Sequence, residues 1–150
     1  MAKIVLGMGV SHSPQLSTPA ETWADHGERD KNNPSIDFEN LAKSAPSWLP
    51  DHLTPEVWQE KYETCERSIR DLSNLLDEVK PDILVVIGDD QKELFHQDNM
   101  PAFSIFWGDE IFDLPHDVEK LPPSIRPAYW ARHGTEPESY PTDAELGRHI

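Results

Sequence analysis

Hydrophobic positions fall into a few short blocks separated by polar stretches. Residues 3–9 carry Ile4-Val5-Leu6 next to Gly7 and Gly9, a pattern expected of a first β-strand. Thr18-Pro19-Ala20-Glu21 follows as a capping box with proline at the first helical position, so a short helix is expected over Trp23. Residues 27–53 turn loop-like, with Asn32-Asn33-Pro34, Pro46 and Pro50. A connection of that length suits a lid or binding loop. After Thr54-Pro55, another cap and proline, Trp58, Tyr62, Cys65, Ile69, Leu72, Leu76 and Val79 alternate steps of four and three. That spacing predicts one apolar face of a long helix, ended by Lys80-Pro81.

Residues 82–88 (Asp-Ile-Leu-Val-Val-Ile-Gly) are almost continuously apolar, as in a strand buried on both faces of a parallel sheet. Strand, helix and strand then make a right-handed βαβ unit. Residues 102–107 suggest a third strand, and residues 108–141, rich in proline and acids, a second long loop. Pro141-Thr142-Asp143-Ala144-Glu145 opens a last capped helix carrying Leu146 and Ile150, which ends within about two turns. The expected fold class is α/β, a three-layer sandwich around a mostly parallel sheet with a βαβ core and long loops. Residues 1–150 are expected to be the N-terminal portion of a single domain, a homo-oligomer or one completed by another polypeptide segment.

Composition narrows the partners. The formal charge of −15 lacks the basic footprint that nucleic acid or an anionic membrane surface requires, and it favours solubility. Mean hydropathy is −0.63. There is no apolar run near the twenty residues that span a bilayer, and residues 3–9 are too brief for a signal peptide. The single cysteine, Cys65, lies on the apolar helical face as a small hydrophobe, which fits a reducing cytoplasm.

Functional groups of parallel α/β sheets gather beyond the carboxyl ends of the strands. The first expected strand ends at Gly9-Val10-Ser11-His12-Ser13-Pro14 and the second at Gly88-Asp89-Asp90-Gln91, so βαβ geometry places both on one rim. An imidazole beside carboxylates and an amide is a start for a divalent metal site. Asp89-Asp90 also suits Mg²⁺ in a phosphatase-like site. Gly7-Met8-Gly9 is not a dinucleotide fingerprint, because His12 stands where the third glycine belongs. The adjacent Ser11 and His12 do not make a nucleophile–base pair by themselves. His26, His52, His116 and His149 are scattered without ligand spacing. His96 follows the second rim motif, and His133 sits in Tyr129-Trp130-Ala131-Arg132-His133-Gly134, an aromatic–basic cluster suited to an aromatic acid.

Taken in order, Gly9-Val10-Ser11-His12-Ser13-Pro14, the run from Pro81 to Gln91, Asn99-Met100-Pro101-Ala102-Phe103 and Thr142-Asp143-Ala144-Glu145-Leu146 resemble the class III extradiol ring-cleavage dioxygenases. The protocatechuate 4,5-dioxygenase β-subunit is the type member. The Gly-Asp-Asp-Gln form resembles a methylgallate dioxygenase-like branch. The resemblance implies a non-haem Fe(II) held by two histidines and a glutamate, a catecholic or gallate-type acid as substrate, and O₂ as co-substrate. It implies His12 as the first metal ligand. Gln91 falls where the family has its second histidine, with Asp89, Asp90 and His96 as substitutes. The third ligand and the acid–base histidine are expected beyond residue 150. Ser13, Trp48, Tyr129, Trp130 and His133 are the expected substrate-side residues, the long loops roofing the pocket. The alternatives are a non-catalytic aromatic- or partner-binding member of the same fold, and a Mg²⁺-dependent hydrolase.

Overall fold

The computed structural model describes residues 2–90, 94–121, 126–131 and 133–150. Five α-helices and one strand pair appear among them: α1 (Pro14–Ser17), α2 (Trp23–Lys31), α3 (Phe38–Ser44), α4 (Pro55–Val79), β1 (Glu110–Asp113), β2 (Glu138–Pro141) and α5 (Ala144–His149). Short 3₁₀ turns at Ala20–Thr22, Leu49–His52, Val118–Lys120 and Arg126–Ala131 join them.

The long helix forms where its sequence signals place it. Thr54 Oγ1 accepts from Val57 N at 3.4 Å, and Pro55 occupies the first turn, where a missing N–H costs nothing. At the other end Lys80 adopts φ 46°, and its N–H donates to Leu76 O at 2.9 Å. Pro81 disfavours a right-handed helical Lys80, which takes the left-handed conformation of a helix C-terminus, and α4 ends. All seven apolar positions from Trp58 to Val79 are half-buried, although none is buried outright. This face meets α1 and the Ala20–Thr22 turn.

The best-buried part of the molecule lies in that corner. Thr18 is 1% exposed, Ala20 4% and His26 5%. Thr18 does not cap a helix, contrary to the capping-box expectation: its hydroxyl turns inward and donates to Pro14 O at 2.8 Å. With its one hydrogen so used, Thr18 Oγ1 accepts from His26 Nε2 at 3.0 Å. Trp23 Nε1 donates to Thr18 O, and Trp130 Nε1 to Ser17 O, both at 3.0 Å. The second bond ties the Arg126–Ala131 turn to α1.

The expected mostly parallel sheet does not form. The described residues are about 48% helical, and their sheet is one antiparallel pair, β1 with β2, in which Ile111 faces Tyr140 and Phe112 faces Ser139. Residues 3–9, 82–88 and 102–107 make no ladder, so the three-layer sandwich and the βαβ core are corrected to helices around a small corner with a separate hairpin-like pair. The physical reason is that a strand exists only through a partner, whereas an apolar run specifies burial and not which backbone will supply it. Val86 and Ile87 accordingly stand 81% and 93% exposed. The two expected loops are corrected as well: residues 27–53 hold the end of α2, all of α3 and a 3₁₀ turn, and residues 108–141 hold both strands.

The accessible surface is 12,627 Å², against about 7,800 Å² for a compact monomer of 17.1 kDa. Large apolar side chains are among the exposed ones, Ile4 at 91% for instance. Residues 106–109 have a helix against them. Thr142 N donates to Asp109 O at 3.0 Å, the Arg148 guanidinium lies 4.9 Å above the Trp107 ring, and Gly147 lets α5 approach the backbone of Phe106 and Trp107. Among the described residues no helix is long and apolar enough to cross a membrane.

Candidate functional site

The two segments expected to share a rim do converge, although no sheet brings them there. His12 Nε2 lies 3.5 Å from Asp89 Oδ1, with the side chains 73% and 69% exposed. Ser13 starts the single turn α1, and its hydroxyl donates to Gln15 Oε1. Asp90 serves the local backbone. Its Oδ1 accepts from Leu94 N at 2.9 Å and its Oδ2 from Phe95 N at 3.1 Å. His96 begins a turn, its backbone N–H donating to Asn99 Oδ1 at 2.7 Å. Gln91 lies outside the described residues.

Nitrogen and oxygen donors of this kind suit a divalent iron, and two at 3.5 Å are close enough to share one cation. The described pair supplies part of a ligand set. Among the described residues no three His, Cys, Asp or Glu side chains converge on one point.

A second cluster assembles around His133. Its Nδ1 is 2.7 Å from Asp113 Oδ1, and Gly134 N donates to Asp113 Oδ2, also at 2.7 Å. Asp113 closes β1, where its side chain is 18% exposed and that of His133 27%. The Gly134 N–H and then the His133 ring hold the Asp113 carboxyl below the usual carboxylate range. The rings of His116 and Tyr129 sit 4.5 and 5.4 Å from the His133 ring, and His116 N donates to the Tyr129 hydroxyl at 2.5 Å. A carboxylate on Nδ1 fixes the imidazole and leaves Nε2 to face a ligand or proton.

Of the expected substrate-side residues, Tyr129 and His133 therefore meet, and Trp130 is tethered beside α1, which begins two residues after His12. Trp48 lies elsewhere, edge-on to His52 at 5.3 Å, in a cavity it shares with Trp23 and Trp58. Sequence reasoning passes over Asp113 and His116. Asp113 reads as one more acid in an acidic loop, and only the β1–β2 pairing and the 133–134 turn give it a partner twenty residues away. It also passes over His26, whose Nδ1 is buried without a hydrogen-bond partner. Burial, and then the Arg29 charge, push its pKa below the ordinary value, Asp30 and Asp25 pulling the other way. Compared with protein-family models, curated proteins and solved structures, the chain matches none.

Proposed function

We propose that this protein takes part in non-haem Fe(II)-dependent extradiol cleavage of a catecholic or gallate-type aromatic acid by O₂. The approach of His12 to Asp89 across the whole length of α4 carries the reading, because it places the Gly9–Pro14 and Gly88–Asp90 motifs side by side. His12 is the proposed first ligand. Asp89 or Gln91 is the second, and His133 with Tyr129 lines the aromatic acid. The iron, when bound, supplies a positive centre on which diol and O₂ lie next to each other. The chain's own contribution is to hold an imidazole and a carboxylate together and, through Trp130, to anchor the aromatic cluster near α1. The lone Cys65 agrees with a reducing compartment, which keeps iron as Fe(II).

The test is anaerobic Fe(II) loading followed by a gallate-type acid and oxygen. Bound iron and substrate-dependent O₂ uptake are expected, and His12→Ala should lose the uptake and weaken iron binding more than tenfold. A His12→Ala protein that retains both would refute the assignment. A well-folded protein that takes up no Fe(II) would favour the partner-binding alternative, which the exposed apolar residues 83–87 also suit. The Mg²⁺ hydrolase is less well supported, since both Asp90 oxygens already accept backbone N–H groups.

A further inference from the structure

Three of the five tryptophans surround one open cavity of about 650 Å³ between α1, the Leu49–His52 turn and the first turns of α4. Trp23 and Trp58 form one wall, ring centres 6.5 Å apart and planes inclined at 46°. The Trp23 ring is fixed by its Nε1 bond to Thr18 O, and Trp58 is fixed by α4. Trp48, edge-on to His52, also lines it, together with Leu49, Leu53, Gln15 and Lys61. The size falls in the range of small-molecule sites. Neither His12 nor Asp89 lines it.

The polar groups of the cavity point to its ligand. In a chain of net charge −15, Lys61 makes no ion pair with any described residue. Lys31, Lys43 and Lys120 do so, with Glu28, Glu39 and Asp117. The cavity lining contains no carboxylate and has only Lys61, His52 and Gln15 as polar members. Indole faces select a flat π-system, since aromatic pairs gain from offset or edge contact beyond area burial. An ammonium at the mouth then selects a negative group on that flat body, through a charge-assisted hydrogen bond.

We propose that this cavity binds a planar aromatic carboxylate, the ring between Trp48 and the Trp23–Trp58 wall and the carboxylate on Lys61. The inference needs no metal and stands apart from the iron reading, so a chelator is included in its test. Binding of 2-naphthoate and of uncharged 2-naphthalenemethanol is measured by calorimetry or ligand-observed NMR. The naphthoate should bind at one site, about five- to tenfold more tightly than the alcohol. Lys61→Met should remove that preference and leave the alcohol unaffected. Trp48→Ala should weaken both about tenfold. Trp48 is 57% exposed, so its loss leaves the buried corner intact, and far-UV circular dichroism verifies this. Equal binding of the two probes, an unaltered Trp48→Ala protein, or no saturable binding while a protein segment is found in the groove would each overturn the proposal.

Discussion

The corner around Thr18 and the apolar run at residues 83–87 end in opposite states, the first buried although partly polar, the second exposed although wholly apolar. In the first, α1, α2 and α4 bring helices whose backbones are already satisfied, so only side chains need partners. Thr18, Trp23 and Trp130 then close the remaining carbonyls with single bonds to Pro14, Thr18 and Ser17. In the second, five consecutive apolar residues have no ladder, and Ile87 is almost fully exposed. The difference teaches that apolarity concentrates where backbone hydrogen bonds are settled locally. A run that depends on a neighbouring strand waits for one.

Proline substitutions separate the two regions most sharply. Ser68→Pro, at an exposed position in the middle of α4, removes an internal hydrogen bond and clashes with the preceding turn. A loss of about 3 kcal/mol or more is expected, with a visible drop in helical circular dichroism. Val85→Pro removes no ladder bond and should change stability by less than about 0.5 kcal/mol. Comparable losses in urea unfolding would mean that residues 83–87 are paired as a strand in solution.

The same contrast explains what was legible in the sequence. Thr54-Pro55, the seven-residue face and Lys80-Pro81 lie within α4 itself, so its bounds and inner side were readable directly. The capped helix start at residues 141–145 was likewise readable, and the cap is made by Asp143 through Leu146 N at 2.8 Å. The strands expected at residues 3–9, 82–88 and 102–107 rest on runs whose partners lie elsewhere, and the pairing that occurs, β1 with β2, lies in a stretch that reads as loop. At the candidate site the closeness of His12 and Asp89 follows in sequence terms from a shared sheet rim, and it occurs without the sheet. The Asp113–His133 bond was not readable, because its register depends on the same strand pairing.

A smaller loss is expected from Thr18→Val, which keeps the shape and removes the hydroxyl. Pro14 O and His26 Nε2 are then left without their bond, at about 1–3 kcal/mol for a buried orphan. His26 adds a pH dependence. Its folded pKa lies below the ordinary 6.5, so the unfolded chain binds the proton more readily. Stability should therefore fall as pH drops through 6.5 and level off below the folded value. His26→Leu should flatten that slope, read from chemical unfolding at pH 5 and 7.5. An unchanged slope would move its origin to another group.

Asp113→Asn addresses the second cluster, where the sign is the same and the pH window more acid. A depressed carboxyl contributes stability that is present above the ordinary value of 3.8 and lost as pH falls through the lower folded value. The substitution should remove that acid-side loss and loosen His133 and Gly134 from β1. Faster amide exchange at Gly134 reports the loosening. Unaltered exchange would show that the strand pair holds the turn without the carboxylate.

Gly147→Ala is the most delicate case, because two effects of similar size oppose each other. Glycine in a helix costs about 1 kcal/mol relative to alanine, so propensity alone predicts that the substitution stabilises α5. A Cβ at 147, however, would come 2.9 Å from Phe106 O and 3.2 Å from Trp107 Cα, both backbone atoms that cannot rotate away. Overpacking of that kind costs about 1–3 kcal/mol, so a net destabilisation of about 1 kcal/mol is expected. The sign is informative because it depends on α5 remaining docked against residues 106 and 107, where an apolar run has found a helix instead of a strand. If the alanine protein is the more stable in urea, that docking does not persist. Residues 102–107 then belong with residues 83–87, as a run whose partner lies outside its own neighbourhood.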